Sequence, residues 1–235
     1  MVYQRINKVI AHYAICSRRK AEILIKEKKV IVNGNIATIG MKVNTDADII
    51  KVKGKVINKY KIEPEILLLN KPKYVITSCS DNLNRKTIID LLPSKYKEGF
   101  YPIGRLDFLS RGALLLTNNG SLCYELSHPK FEHEKVYIVE LMGKLKQTHI
   151  EKWQLGIELN GKETNPCNIE ILEKGSNFFK MKIILKEGRN RQIRRIASLF
   201  GYKVIDLNRI EFAGISLGNL KEGNWKSIHI FKQNL

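Results

Sequence analysis

The sequence predicts an α+β chain in two parts: a small, strongly basic module over residues 1–60, then a larger domain over residues 64–235 built on a mixed, largely antiparallel sheet. Three observations carry this. The chain has 41 Lys and Arg against 23 Asp and Glu, a formal net charge of +18, and residues 1–60 alone hold 13 basic and four acidic residues. The polar run 54–64 (GKVINKYKIEP) ends at Pro64 and reads as a linker. Beyond Glu65, strand patterns outnumber helical ones and often follow each other directly, which favours antiparallel pairing.

In the first module, Ile6, Val9, Ile10 and Tyr13 recur at helical spacing, and Cys16 ends that segment. Ser17 is a natural N-cap for a second helix, in which Ala21, Leu24 and Ile25 face one way. Arg18, Arg19, Lys20, Lys26 and Lys29 give that helix its basic character. Asn33-Gly34 between β-branched residues signals a hairpin, because a type I′ turn needs positive φ at both positions. Ile49 to Val52 makes a further short strand. The run Ser17-Arg18-Arg19-Lys20-Ala21-Glu22, with Ile25, Val30 and Val32-Asn33-Gly34, resembles the alpha-L RNA-binding domain first seen in ribosomal protein S-four.

In the second part, ILLLNKP reads as a buried strand stopped by Pro72, followed by a second strand in YVITSCS. Thr87 to Leu92 reads as a short helix, GALLLTN as a buried strand, and residues 119–127 as a helix. Strands follow at Lys135–Leu141, Ile169–Leu172, Phe178–Leu185 and Val204–Phe212. Helices follow at Gln147–Leu155 and Asn190–Phe200, the latter with Gly201 just past its end.

The excess of positive charge points to a polyanionic partner, since neutralising phosphates releases counterions. Its concentration in one module is a stronger nucleic-acid signal than a basic average. Cys16, Cys79, Cys123 and Cys167 are far apart with no C-x-x-C pair, which argues against a disulfide framework or a zinc site. No apolar run reaches about 18 residues and no signal-peptide core is visible, so a soluble, cytoplasmic protein is expected.

Three segments have the composition of a reactive site. In Pro102 to Gly120, Asp107 is flanked by Arg105 and Arg111 just before an apolar strand; arginines hold a carboxylate ionised and grip phosphate. A surface salt bridge is the plain alternative. In HPKFEHEKVYIVE (128–140), strand alternation puts Tyr137 on the buried face, where plain core packing is the alternative to a site role, and neither His128 nor His133 has metal-ligand spacing with other groups. In KEGRNRQIRRIASLFG (186–201), Ile193, Ile196, Ala197 and Phe200 form an apolar stripe. Arg189, Arg191, Arg194 and Arg195 then make a phosphate-facing surface, with a solvated basic helix as the alternative.

Taken together, GRLD at 104–107, Ser110, Gly112 with LLLTNNG, HPKFEHEKVY and EGRNRQIRR resemble the RsuA/RluB family of ribosomal RNA pseudouridine synthases, in family order. Leu207-Asn-Arg209, Ala213-Gly214-Ile215, Leu217-Gly218 and Glu222-Gly-Asn-Trp225 extend the likeness over about residues 3–230. Ala113 stands where the family usually has Leu, and Lys226 where it has Arg.

The resemblance implies isomerisation of uridine to its C-glycoside in ribosomal RNA, with no cofactor and no metal, by a protein expected to be a monomer. Asp107 matches the essential carboxylate, acting on the ribose as nucleophile or as base at its 2′ position. Tyr137 matches the tyrosine that packs on the base, Arg194 the basic partner of the carboxylate, and Leu207 an apolar pocket residue. Arg105 would steady the gap left by the flipped nucleotide, which a stacked target requires. Large-subunit rRNA is the favoured substrate, with small-subunit rRNA the alternative. A non-catalytic RNA-binding or ribosome-assembly factor is the first rival, which would not need the trio Asp107, Tyr137 and Arg194. A methyltransferase is the second, and the missing Gly-rich cofactor loop counts against it.

Overall fold

The computed structural model describes residues 3–13, 15–57 and 63–228. Among them the chain divides into two compact units: residues up to Glu65 with Pro93–Phe100 and Asn118–Gly120, and the remainder.

The first unit opens with β1 (Tyr3–Arg5), α1 (Ile6–His12) and α2 (Arg18–Lys26). Ser17 caps α2, its hydroxyl accepting from Lys20 N. Then come β2 (Val30–Val32), β3 (Asn35–Ile36), β4 (Lys42–Asn44), β5 (Ile50–Val52) and β6 (Lys55–Val56), with a small sheet in the order β3-β2-β5-β6. Asn33 and Gly34 carry φ of +49° and +86°, the type I′ hairpin expected, and Asn33 Oδ1 accepts from Ile49 N at 2.8 Å. Ile6, Val9, Ile10, Leu24, Ile25 and Val43 share one core that the short strands close over.

The run 54–64 is not wholly a linker. Lys55 and Val56 pair with β5, and Ile57 is buried in the same core, so the hairpin continues through it. Residues 58–62 of that run lie outside the described residues.

The second unit follows as β7 (Ile66–Lys71), a 3₁₀ turn at Ile88–Leu91, β8 (Tyr101–Ile103), β9 (Arg111–Thr117) and α3 (Gly120–Ser127). After these come β10 (Lys135–Met142), α4 (Gln147–Leu155), β11 (Asn168–Lys174) and β12 (Phe178–Leu185). The last described elements are α5 (Gln192–Leu199), β13 (Lys203–Phe212), β14 (Ile215–Ser216) and β15 (Trp225–Ile228). The main sheet runs β11-β12-β10-β13-β9-β7-β15, with β8 on β9 and β14 on β13. Only the β13–β9 pairing is parallel among the described strands, so the sheet is mixed and largely antiparallel, as expected.

That parallel junction positions the site. Asn208 pairs with Arg111 and Arg209 with Gly112. At Gly112 φ is +110° and a Cβ would lie 2.2 Å from Arg209 O, so only glycine lets the two strands approach this closely.

Two expectations are corrected here. YVITSCS is not a strand: Pro72 lacks a donor, Tyr74 takes φ of +64°, and only Ile76 forms a bridge, to Thr87. The segment instead runs past the loop that carries Asp107. The basic helix starts at Gln192 and not at Asn190, because Arg191 adopts a left-handed φ of +49° at its entrance.

Candidate active site

The loop Gly104–Ser110 between β8 and β9 is held from two sides. Lys71, fully buried at the end of β7, donates from Nζ to Pro72 O (2.9 Å), Asp107 O (3.2 Å) and Ser110 O (2.8 Å). Thr77 Oγ1 donates to Leu106 O at 2.7 Å, and Ser110 N donates back to Asp107 O at 3.0 Å. These bonds fix the backbone on both sides of Asp107 and leave its carboxylate at the wall of a cavity of about 480 Å³. Burial pulls the Lys71 ammonium down to about 8, opposed by the charges of Asp107 and Glu222.

Asp107, Tyr137, Leu207, Arg105 and Arg191 all line that cavity. Tyr137 and Leu207 come from neighbouring strands: β10 and β13 pair Tyr137 with Arg209 and Val139 with Leu207. Arg191 and Arg194 are the cations nearest the carboxylate, with Nη1 of Arg191 at 3.9 Å and Nε of Arg194 at 4.0 Å from Asp107 Oδ2. Arg194 is not part of the cavity lining; its Nη2 donates to Leu109 O at 2.9 Å and Ser110 Oγ at 3.2 Å. Burial lowers its guanidinium from the ordinary arginine value, and the charge of Asp107 opposes that shift.

Other arginines have different partners from those the sequence suggested. Arg111 does not flank Asp107; it grips Asp206 on β13 through Nε and Nη2 at 2.8–3.2 Å, a salt bridge that Lys73 joins at 2.7 Å. Arg189 lines the cavity, but its guanidinium is committed to Glu187 Oε2 (2.9 Å), Lys162 O (2.7 Å) and Glu163 O. It braces the loop before α5, so the expectation that it meets phosphate does not fit its partners. Arg195 is outside the cavity wall and donates to Asn160 Oδ1 at 2.5 Å. Arg18, Arg19, Lys20 and Lys26 are all exposed on α2 in the first unit.

Sequence reasoning missed three residues. Lys71 was hidden inside a strand that read as apolar. Lys135, also on the cavity wall, donates to His133 O at 2.7 Å and is pulled down to about 8, by burial first and then by Arg209. Arg209 is 2% exposed, donates to Ala113 O at 2.7 Å and lies over the Phe212 ring at 4.7 Å. Its only sequence signal was the Leu207-Asn-Arg209 run. Among the described residues no cluster of metal-ligating side chains is present, and no helix is long and apolar enough to cross a membrane.

A carboxylate lines a cavity with an arginine, a tyrosine and a leucine, in a chain that begins with a basic helix-and-hairpin module, and the class of protein follows from what this chain matches. Residues 65–199 match the model of the RNA pseudouridylate synthase family, and residues 4–49 that of the S4 domain. The chain belongs to the RNA pseudouridylate synthase family. It is 40% identical over 228 residues to the ribosomal large subunit pseudouridine synthase B of Bacillus subtilis, covering 96% of this chain and 92% of that one. It is 35% identical over 225 residues to the dual-specificity RNA pseudouridine synthase RluF of Escherichia coli, covering 95% and 75%. A crystal structure of a pseudouridylate synthase matches it with a TM-score of 0.69 at 26% identity, covering 96% of both chains.

Proposed function

We propose that this protein isomerises a specific uridine of large-subunit ribosomal RNA to pseudouridine, with Asp107 as the catalytic carboxylate. The observation that carries the assignment is the cavity itself, where Asp107, Tyr137, Leu207 and Arg191 converge from four different elements. In the reaction the bond from ribose C1′ to N1 breaks, the base rotates in the pocket, and a bond from C1′ to C5 forms. N1 ends with a proton, and C5 gives one up.

Asp107 addresses the ribose, Tyr137 packs on the uracil and Leu207 supplies an apolar wall. Arg191 and Arg194, with nitrogens 3.9 and 4.0 Å from Asp107 Oδ2, aim the carboxylate. Arg105, an exposed residue of the cavity lining, occupies the space the flipped nucleotide leaves. Residues 1–60 anchor the RNA through Arg18, Arg19, Lys20 and Lys26, and residues 64–235 carry the chemistry. The residues assigned to the cavity all come from this one chain, and we read the protein as a cytoplasmic monomer.

The test is to map pseudouridines in rRNA from cells with the wild-type protein, without it, and with Asp107→Asn. One large-subunit site should disappear in both altered strains. Removing a reacting carboxylate should slow purified enzyme by at least about 100-fold. Near wild-type turnover by Asp107→Asn would remove Asp107 from this role, and loss of a small-subunit site alone would reassign the substrate.

A further inference from the structure

Next to Asp107 the protein displays an aromatic pair that its own fold does not require. Tyr74 N donates to Phe108 O at 2.7 Å, and the two rings meet edge to face with centroids 5.6 Å apart. Tyr74 is 64% exposed and Phe108 45%. Phe108 follows Asp107 in the chain and lines the same cavity. Tyr74 also holds φ at +64°, a left-handed conformation that glycine adopts freely and an aromatic residue does not. A ring left mostly in water returns little burial for that strain, so stability alone does not select tyrosine here. Strained non-glycine residues of this kind gather at ligand-binding positions.

We propose that Tyr74 and Phe108 form a stacking site for the base of an unpaired nucleotide adjacent to the target uridine. This rests on the reading of the cavity as the uridine site. Turning the uridine into the cavity unstacks its neighbour and exposes that base's face to water. An aromatic surface one residue from Asp107 is in reach of such a neighbour, and stacking accepts any base because every base has a π-face. Arg105, exposed and part of the cavity lining two residues before Asp107, supplies the positive charge suited to the phosphate joining the two nucleotides. That basic surround favours RNA over a protein as the occupant.

The test uses the full-length protein and an rRNA hairpin in which the wild-type protein forms pseudouridine. Tyr74→Gly suits the backbone, so its thermal midpoint should equal or exceed wild type. Its Kd for the hairpin should rise roughly tenfold, the scale of one base–aromatic stack, and Tyr74→Phe should restore it. Replacing the nucleotide 5′ or 3′ of the target by an abasic site should, at one of the two positions, cost wild type the same factor and cost Tyr74→Gly nothing more. An unchanged Kd for Tyr74→Gly overturns the proposal, as do losses that simply add at both abasic positions; a protein partner would give the first result. The cycle is read from affinity, so it decides the role of the rings whatever Asp107→Asn does to turnover.

Discussion

Nε of Arg194 stands 4.0 Å from Asp107 Oδ2, buried and without a hydrogen-bond partner, while Nη2 of the same guanidinium holds Leu109 O and Ser110 Oγ. The side chain is only 11% exposed. A buried donor left unpaired is costly, and at an active site it marks an interaction that tightens when substrate arrives. Arg194 thus touches both the loop that carries Asp107 and the carboxylate's surroundings, whereas its neighbour Arg195 bonds Asn160, and on the proposed function this separates the two.

Arg194→Ala should therefore lower turnover of a purified rRNA fragment by about 100-fold, the effect of misplacing a reacting group by about an ångström. It should also destabilise the fold by about 2 kcal/mol, because two charge-assisted hydrogen bonds disappear. Arg195→Ala removes a hydrogen bond to Asn160 away from the cavity and should change turnover less than tenfold. Single-turnover rates and urea unfolding for both variants check this. Equal effects would reduce the helix to a binding surface.

Lys71 makes a second prediction, with a defined pH window. Lys71→Met removes the ammonium from Pro72 O and Ser110 O, leaves Asp107 O only its bond from Ser110 N, and should cost about 3 kcal/mol at pH 7. Turnover should fall at least about tenfold, since Asp107 loses one of the bonds that tether its backbone. The folded-state ammonium titrates near 8 against the ordinary 10.5. Between those values the unfolded chain binds a proton that the folded chain has released, so wild-type stability rises with pH relative to Lys71→Met. Below pH 8 both states are protonated and the difference flattens. Chemical denaturation at pH 7 and pH 9.5 measures it; a difference independent of pH would mean that Lys71 is not perturbed.

The basic face of α2 makes a third. Neutralising Arg18, Arg19 and Lys26 together should lower the slope of log K against log salt by roughly 0.7 to 0.9 for each phosphate that these side chains no longer neutralise. Turnover of saturating RNA should change little, because none of the three belongs to the cavity wall. A salt titration of rRNA-fragment binding decides it. An unchanged slope would place the RNA anchor elsewhere.

Much of the fold was legible because its signals are local. The Ser17 cap, the Asn33-Gly34 turn, the helix Gln147–Leu155 and the strand Phe178–Leu185 all follow from neighbouring residues, and all are found where the periodicity put them. The segment at 74–80 failed for a local reason too. Its β-branched and aromatic residues suit a strand, but Pro72 and the left-handed Tyr74 turn the chain away from pairing. The short strands β8, β14 and β15 carried no period of their own; each exists because a longer neighbour offers it hydrogen bonds.

The site divides along the same line. By itself the sequence determined which residue types were available: one acid between Gly104 and Gly120, a tyrosine on the inward face of a strand, and a helix with an apolar stripe and arginines beside it. Only the tertiary structure decided which arginine meets which acid. Arg111 lies four residues from Asp107 yet pairs with Asp206, while Arg191 and Arg194, more than eighty residues away, approach Asp107 instead. The reason is register. The parallel β13–β9 junction, made possible by the missing Cβ of Gly112, carries Asp206 alongside Arg111. Bonds from Lys71 and Thr77 hold the loop so that its one carboxylate faces the helix. Those bonds join residues dozens of positions apart, where spacing along the chain carries no information.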